Sequence, residues 1–371
     1  MLSSTHGGRS HLEDFGWSDE DAMAALSQVL GDGPTRRTVL ALAGSAVASQ
    51  VLGWALADPL AAHRAGEGGP VSDELCDRLA ESVDALRMAD AQNGASAALR
   101  GTAQPQLLFL HQLLKSGNTS GHYRRLLGIT ADLTGLLGWM AVDAGEAHAT
   151  SLLVAGLRAA HSAADPVLGA GIVSYMAVHA YSHGHGREAA LMASTALHRV
   201  QDIASPRVEC LLWIRQARGH AAAGEEHKAR LALDHARATF ERGPREDDPR
   251  WLYWIDEGEL ACQSGTVLLE TGHPDEAIGY LDRALEGYHP ALVRDQASSQ
   301  IRAAKALGRM GEIDAASQRA HAALDLVEGL ASRRTNDQVR DLVHKDLAPY
   351  SKHPAVTELV DRSQTLIGAK A

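Results

Sequence analysis

A turn that recurs five times is the feature that most constrains what this 371-residue chain can fold into. The segments DAGEAHAT, HGHGREAA, AAGEEHKA, ETGHPDEA and RMGEIDAA each place a Gly, or an Ala in the first, about five residues before an alanine that opens a helix. Those alanines are Ala149, Ala189, Ala229, Ala277 and Ala316, at intervals of 40, 40, 48 and 39 residues. Four positions on stand Leu153, Ala193, Leu233, Leu281 and Ala320, and seven positions on stand Gly156, Ala196, Ala236, Ala284 and Ala323. A small–apolar–small stripe at spacings of four and three lies on one helix face. Small side chains on that face let the helix lie close against the one before it. Alanine is common throughout the chain, so one such match means little, but five in one register carry weight.

Composition agrees with an all-helical chain. Aromatics make up 4% of the residues and prolines number 12. Runs of β-branched residues bounded by turn signals, the mark of strands, are scarce. The net charge of −11 argues against a duplex nucleic-acid partner for the bare chain, because phosphate binding draws on Lys and Arg. Cys76, Cys210 and Cys262 are far apart and form no CxxC pair, which fits a reducing compartment.

The small residues seven apart resemble those at the second helix of tetratricopeptide repeats. Trp213 lies 16 residues before Ala229 and Gly265 lies 12 before Ala277, where that pattern has its Trp and its Gly. The period exceeds the usual value of about 34 residues, so the helices are longer and the repeats degenerate. The expected fold is an all-α, right-handed α-solenoid of degenerate tetratricopeptide-like helix pairs over residues 71–371. Helices at Gln104–Lys115 and about His122–Asp143 precede the clear repeats. Helices at Asn336–Leu347 and Ala355–Ile367, separated by Pro349 and Pro354, cap the far end. Residues 1–33 form an acidic segment in which Ser18 and Asp21 read as the start of a short helix closing at Gly31. Residues 34–70 hold a twin-arginine apolar segment and a linker rich in Gly66, Gly68 and Gly69.

Three stretches carry a wider resemblance. They are Arg36-Arg37-Thr38-Val39-Leu40-Ala41-Leu42-Ala43-Gly44, then Trp251-Leu252-Tyr253-Trp254-Ile255-Asp256-Glu257-Gly258-Glu259-Leu260, and the ending Leu347-Ala348-Pro349-Tyr350 with Pro354-Ala355-Val356. Over residues 34–367 the chain resembles the actinobacterial multi-repeat transcriptional regulators. Members of that family commonly carry an N-terminal helix-turn-helix domain of the lambda-repressor type. Residues 1–33 are too short for a complete one, so the resemblance implies sensing or partner binding rather than direct DNA contact by this chain.

The same register projects Tyr181, Arg218, Glu259, Glu270, Lys305 and Arg309 onto the concave surface of the array. Trp251 and Trp254 are expected to line the groove beside them. Mixed charges there suit a peptide with a charged end. The expectation is therefore a cytoplasmic regulatory or sensor protein that binds a peptide, a small signal or a protein partner, with a homodimer as a further option. No catalytic constellation and no cofactor motif is present, so no enzyme activity is expected. Two alternatives stand beside this. Thr35-Arg36-Arg37-Thr38-Val39-Leu40 resembles a twin-arginine export signal, with Ala55-Leu56-Ala57 as a cleavage site, although the acidic residues before it oppose a positive n-region. The run Val39–Ala57, diluted by Gly44, Ser45, Ser49, Gln50 and Gly53, makes a poor membrane span. The second alternative is a metal-dependent hydrolase. His179 and His183 share a helix face and His185 follows in the turn, but no HExxH is present and no carboxylate is fixed nearby.

Overall fold

The computed structural model describes residues 16–31, 71–115 and 118–368. The twin-arginine segment and linker at 34–70 and the residues before Gly16 lie outside that set. Fifteen α-helices account for most of what is described, and no β-strand occurs among the described residues. They are α1 (Asp19–Gly31), α2 (Asp73–Asn93), α3 (Ala97–Lys115), α4 (Ser120–Asp143), α5 (Ala149–Ser162), α6 (Pro166–Ser182), α7 (Gly186–Val200), α8 (Pro206–Ala222), α9 (Glu226–Phe240), α10 (Glu257–Glu270), α11 (Pro274–Gly287), α12 (Val293–Met310), α13 (Ile313–Glu328), α14 (Arg333–Asp341) and α15 (Pro354–Gly368).

Local chemistry sets these boundaries. The hydroxyls of Ser72, Thr119, Ser205 and Ser332 and the carboxylates of Asp165 and Asp256 accept backbone N–H bonds in the first turns of α2, α4, α8, α14, α6 and α10. Pro166 and Pro206 occupy the first positions of α6 and α8, where a missing N–H costs nothing. Ser18 and Asp21 cap α1 reciprocally: Asp21 N–H donates to Ser18 Oγ at 3.2 Å and Ser18 N–H to Asp21 Oδ2 at 3.0 Å.

The five turns share one backbone solution. Gly145, Gly184, Gly224, Gly272 and Gly311 all have left-handed φ, between 67° and 93°. In each turn the next residue's N–H donates to the carbonyl five positions back: Glu146 to Ala141, His185 to Ala180, Glu225 to His220, His273 to Leu268 and Glu312 to Leu307. That bond belongs to the Schellman motif, which satisfies an otherwise orphaned helix-end carbonyl. In the first turn the left-handed residue is Gly145, not Ala144 at the fifth position, since Ala144 has helical φ.

All fifteen positions of the small–apolar–small stripe are buried. They face the preceding helix, pairing α4 with α5, α6 with α7, α8 with α9, α10 with α11 and α12 with α13. Gly265 packs on α11, where an added Cβ would stand 2.8 Å from Leu281 and 3.0 Å from the Ala277 carbonyl. Trp213 stacks on His235 at 4.4 Å. Several helix bounds differ from the sequence expectation. Helix α3 begins at Ala97, upstream of Gln104, and carries Pro105 inside it. The penultimate helix starts at Arg333 because Ser332 caps it. Residues Trp251 and Trp254 are not on a regular helix, since α10 begins only at Glu257 and a short 3-10 turn spans Arg250–Leu252.

The inner helices α4, α6, α8, α10, α12 and α14 each pack on the next, and α14 returns to pack on α4. Helix α12 also meets α2. The array therefore closes on itself. Asp143, the buried last residue of α4, holds the junction. Ser332 Oγ donates to Asp143 Oδ1 at 2.9 Å, Arg334 Nε to the same oxygen at 3.0 Å, and Arg294 to Oδ2 at 3.4 Å. Arg294 also donates to Asp90 of α2 at 2.9 Å, and the Ala331 N–H donates to the Asn93 carbonyl. Outside this closure, α1 lies on α5 and α3, with Trp17 edge-on to His161 and 5.3 Å from the Arg158 guanidinium. Helix α4 is the one described helix long and apolar enough to cross a membrane, and most of it is buried in the array.

Two substitutions test this packing. Gly219→Ala should gain about 1 kcal/mol from helix propensity. Its methyl, however, would stand 2.5 Å from the Ala190 nitrogen and 2.8 Å from the Gly186 carbonyl oxygen, both backbone atoms. Overpacking of this kind costs about 1–3 kcal/mol, so urea unfolding should show a net loss. Asp143→Ala leaves the buried Arg294 and the half-buried Arg334 without their shared partner and should cost about 3–5 kcal/mol. Small-angle scattering of the surviving folded fraction should report a larger radius of gyration.

Candidate functional site

All six inner helices and α2 line one cavity of about 80 Å³. Its walls carry five guanidiniums, from Arg87, Arg215, Arg294, Arg302 and Arg334, and three carboxyls, from Asp90, Glu259 and Asp295. Between them stand Trp139, Tyr175, Tyr181, Tyr253 and Trp254. The inner faces thus turn toward a polar, aromatic chamber rather than an apolar core.

Most of these charges are matched. Arg87 donates to Asp84 at 2.9 Å and also pairs with Asp132. Asp90 Oδ2 accepts from Arg294 and, at 3.2 Å, from the Trp139 indole. Burial pushes the Asp90 carboxyl up, Arg294 opposes that shift, and the nearby Asp143 charge adds to it. The guanidiniums of Arg294 and Arg334 lie 5.1 and 5.2 Å from the Trp139 ring, and Tyr175 stacks on that ring at 5.2 Å.

On the opposite wall runs a buried relay. Arg218 donates to Glu270 at 2.8 Å and to Gln263 Oε1 at 2.7 Å, and its guanidinium lies 4.7 Å from the Tyr181 ring. Gln263 Nε2 donates to Glu259 Oε1 at 2.8 Å, and the Tyr288 hydroxyl donates to Glu259 Oε2 at 3.1 Å. Burial, reinforced by the Asp295 charge, pushes Glu259 up to about 7, while Arg215 pulls the other way.

The sequence-predicted residues divide into three sets. Tyr181, Trp254 and Glu259 line the cavity. Arg218 and Glu270 sit behind its wall, bonded to each other. Trp251, Lys305 and Arg309 lie elsewhere. Trp251 packs over Gly171 and lines an outer cleft with Arg124 and Arg250. Lys305 pairs with Asp346 at 3.0 Å, and Arg309 donates to the Leu269 carbonyl at 2.7 Å. The expected groove of free charges is thus a chamber, ringed by the inner helices, whose side chains largely satisfy one another.

The sequence reading missed Arg87, Asp90, Trp139, Arg215, Arg294 and Arg302. A signal was available on α12, where 295, 298, 302, 305 and 309 form one helical stripe. The register selected its C-terminal half, while the chamber uses the N-terminal half. The histidines lie apart from the chamber. The His179 and His183 rings are 4.3 Å apart, and His183 Nδ1 bonds the His179 carbonyl oxygen. Burial, then His183 and His185, push His179 down to about 4. Among the described residues no group of three His, Cys, Asp or Glu is arranged to hold a metal ion.

No protein-family model matches the chain, and no curated protein matches it significantly.

The Glu259 shift carries a sign. Its ordinary value is 4.5 and its folded value is about 7. Between the two, the folded chain keeps a proton that the unfolded chain has lost, so stability falls as pH rises through that window and levels off above it. One such proton gives a slope of at most about 1.4 kcal/mol per pH unit. Glu259→Gln should shrink the drop in urea midpoint between pH 5 and pH 8 and should be the more stable form at pH 8.

Proposed function

We propose that this chain is a regulatory sensor. In this reading it is a right-handed solenoid of tetratricopeptide-like helix pairs, curled until its ends meet, which binds a small signal or the charged end of a peptide in its central chamber. It passes the bound state on to a protein partner, in keeping with the resemblance to multi-repeat transcriptional regulators, and performs no catalysis. Three buried free thiols, at Cys76, Cys210 and Cys262, favour a cytoplasmic setting over export.

One observation carries the reading. Arg294 and Arg334 line the chamber and also clamp Asp143 and Asp90 where the array closes. A ligand that touches those guanidiniums changes the free energy of closure, and a two-state element biased by a ligand is what a sensor needs.

A thermal-shift screen of the full chain against amino acids, nucleotides, organic acids and short peptides tests this. The expected outcome is at least one compound that raises the melting temperature and slows amide exchange in α2, α12 and α14. A screen without any stabilising compound, or one whose hits protect only the outer helices α5, α7, α9, α11 and α13, would sink the sensor reading.

A further inference from the structure

The chamber's charges do not all cancel internally. Arg87, Arg294 and Arg334 each hold a carboxylate within ion-pair distance. Arg215 and Arg302 do not. Arg215 is 95% buried, with its guanidinium 5.3 Å from the Trp254 ring, and its Nε has no partner. Arg302 donates from Nη1 to the Cys262 sulfur at 3.0 Å and makes no ion pair, although the Glu259 charge lies near enough to favour its charged form. The carboxyl between them, Glu259, has its oxygens engaged by Gln263 and Tyr288. Asp295 is the one remaining carboxylate on the wall, and it forms no ion pair with either arginine. Two guanidiniums without an ion pair thus share the chamber with Glu259, whose charge both of them stabilise, and with Asp295.

Resting on the sensor reading above, we propose that Arg215 and Arg302 form the receptor for a small oxyanion, a carboxylate or phosphate group, held against the face of Trp254. A buried cation without a partner is unfavourable, and an incoming anion removes that penalty. The planar guanidinium fork matches the planar or tetrahedral oxygens of such a group, and the ring behind Arg215 fixes its orientation. Size agrees. A cavity needs about 10–15 Å³ to hold one water. The chamber of about 80 Å³ therefore has room for a head group of a few heavy atoms. Trp254, Tyr181 and Tyr253 supply flat apolar walls for whatever carries that head group.

The test uses the full chain and three probes: inorganic phosphate, benzoate and benzylamine. Binding is followed by calorimetry and by tryptophan fluorescence, since Trp139 and Trp254 both line the chamber. Phosphate or benzoate should bind saturably at one site per chain. Arg215→Gln or Arg302→Gln should each weaken it by at least about tenfold, as expected for loss of a charge-assisted hydrogen bond. The double variant should abolish it, and Arg309→Gln, outside the chamber, should leave it unchanged. Arg215→Lys, which keeps the charge, should bind more weakly than wild type yet better than Arg215→Gln, and helical circular dichroism separates lost binding from lost folding. The proposal is overturned if neither oxyanion binds, or if binding survives in the folded double variant. Benzylamine binding without either oxyanion overturns the anion receptor and leaves the sensor reading standing. A chain that answers neither these probes nor the wider screen loses both.

Discussion

The closed arrangement depends on one buried carboxylate. Asp143 ends α4, where the helix carbonyls already carry negative partial charge, so an anion there is locally unfavourable. Its partners are also placed against local preference. Arg294 and Arg334 stand at the second positions of α12 and α14, near helix N-termini that favour anions. None of the three charges helps the helix that bears it. Each is compensated only where α4, α12 and α14 meet, so the cluster specifies that meeting rather than any single helix. Replacing a buried ion cluster with packed apolar residues is often neutral or stabilising. Its retention here is therefore better read as geometry than as glue.

Between the two ends, the array is held by short-range contact of small residues. The stripe anchored on Ala149, Ala189, Ala229, Ala277 and Ala316 is buried along its length. At Gly156, Gly219 and Gly265 the neighbouring helix comes so near that even a methyl group would meet its atoms. Close pairing of this kind leaves little room for helices to slide within a pair, since packed interiors deform in steps rather than continuously. Rigid pairs joined in series concentrate any motion at the junctions between them. At the junction between α4, α12 and α14 the seal is a charge cluster centred on Asp143 rather than a stripe of alanines.

This contrast explains what the sequence disclosed. Pairing within a repeat follows from a local pattern of alanine, glycine and leucine, so its register was readable down to the turn glycines in all but the first turn. The start of α1 was readable too, because Ser18 acts on a backbone group three residues away, whereas α3 and α14 begin upstream of the expected positions. Closure was not. The Asp143–Arg334 contact spans 191 positions, and an acidic residue just before a turn glycine reads as solvated surface. The same holds for the chamber. Tyr181 and Glu259 were reached by projecting the repeat register, and Trp254 as an aromatic beside them, but that projection assumed an open curve with free charges on it. Whether Arg218 meets solvent or Glu270 depends on how far the array curls, and no single repeat encodes that. Lys305 and Arg309 were placed on the correct helix stripe and at its wrong end for the same reason.

Curling also sets the terms on which the proposed sensor would work. A chamber of about 80 Å³ admits a small head group without rearrangement, whereas a bulky group held wholly among its walls requires them to part. The walls include Arg294 and Arg334, so parting them strains the Asp143 cluster directly. A small oxyanion at Arg215 and Arg302 would add favourable contacts to the closed form alone and shift the population toward it. A bulky ligand would need the open form and would shift the population the other way. A ligand's size would then decide the direction of the response, and its differential affinity for the two forms would decide the extent. Glu259, bonded within the chamber wall and titrating near neutrality, would place that balance under the influence of pH.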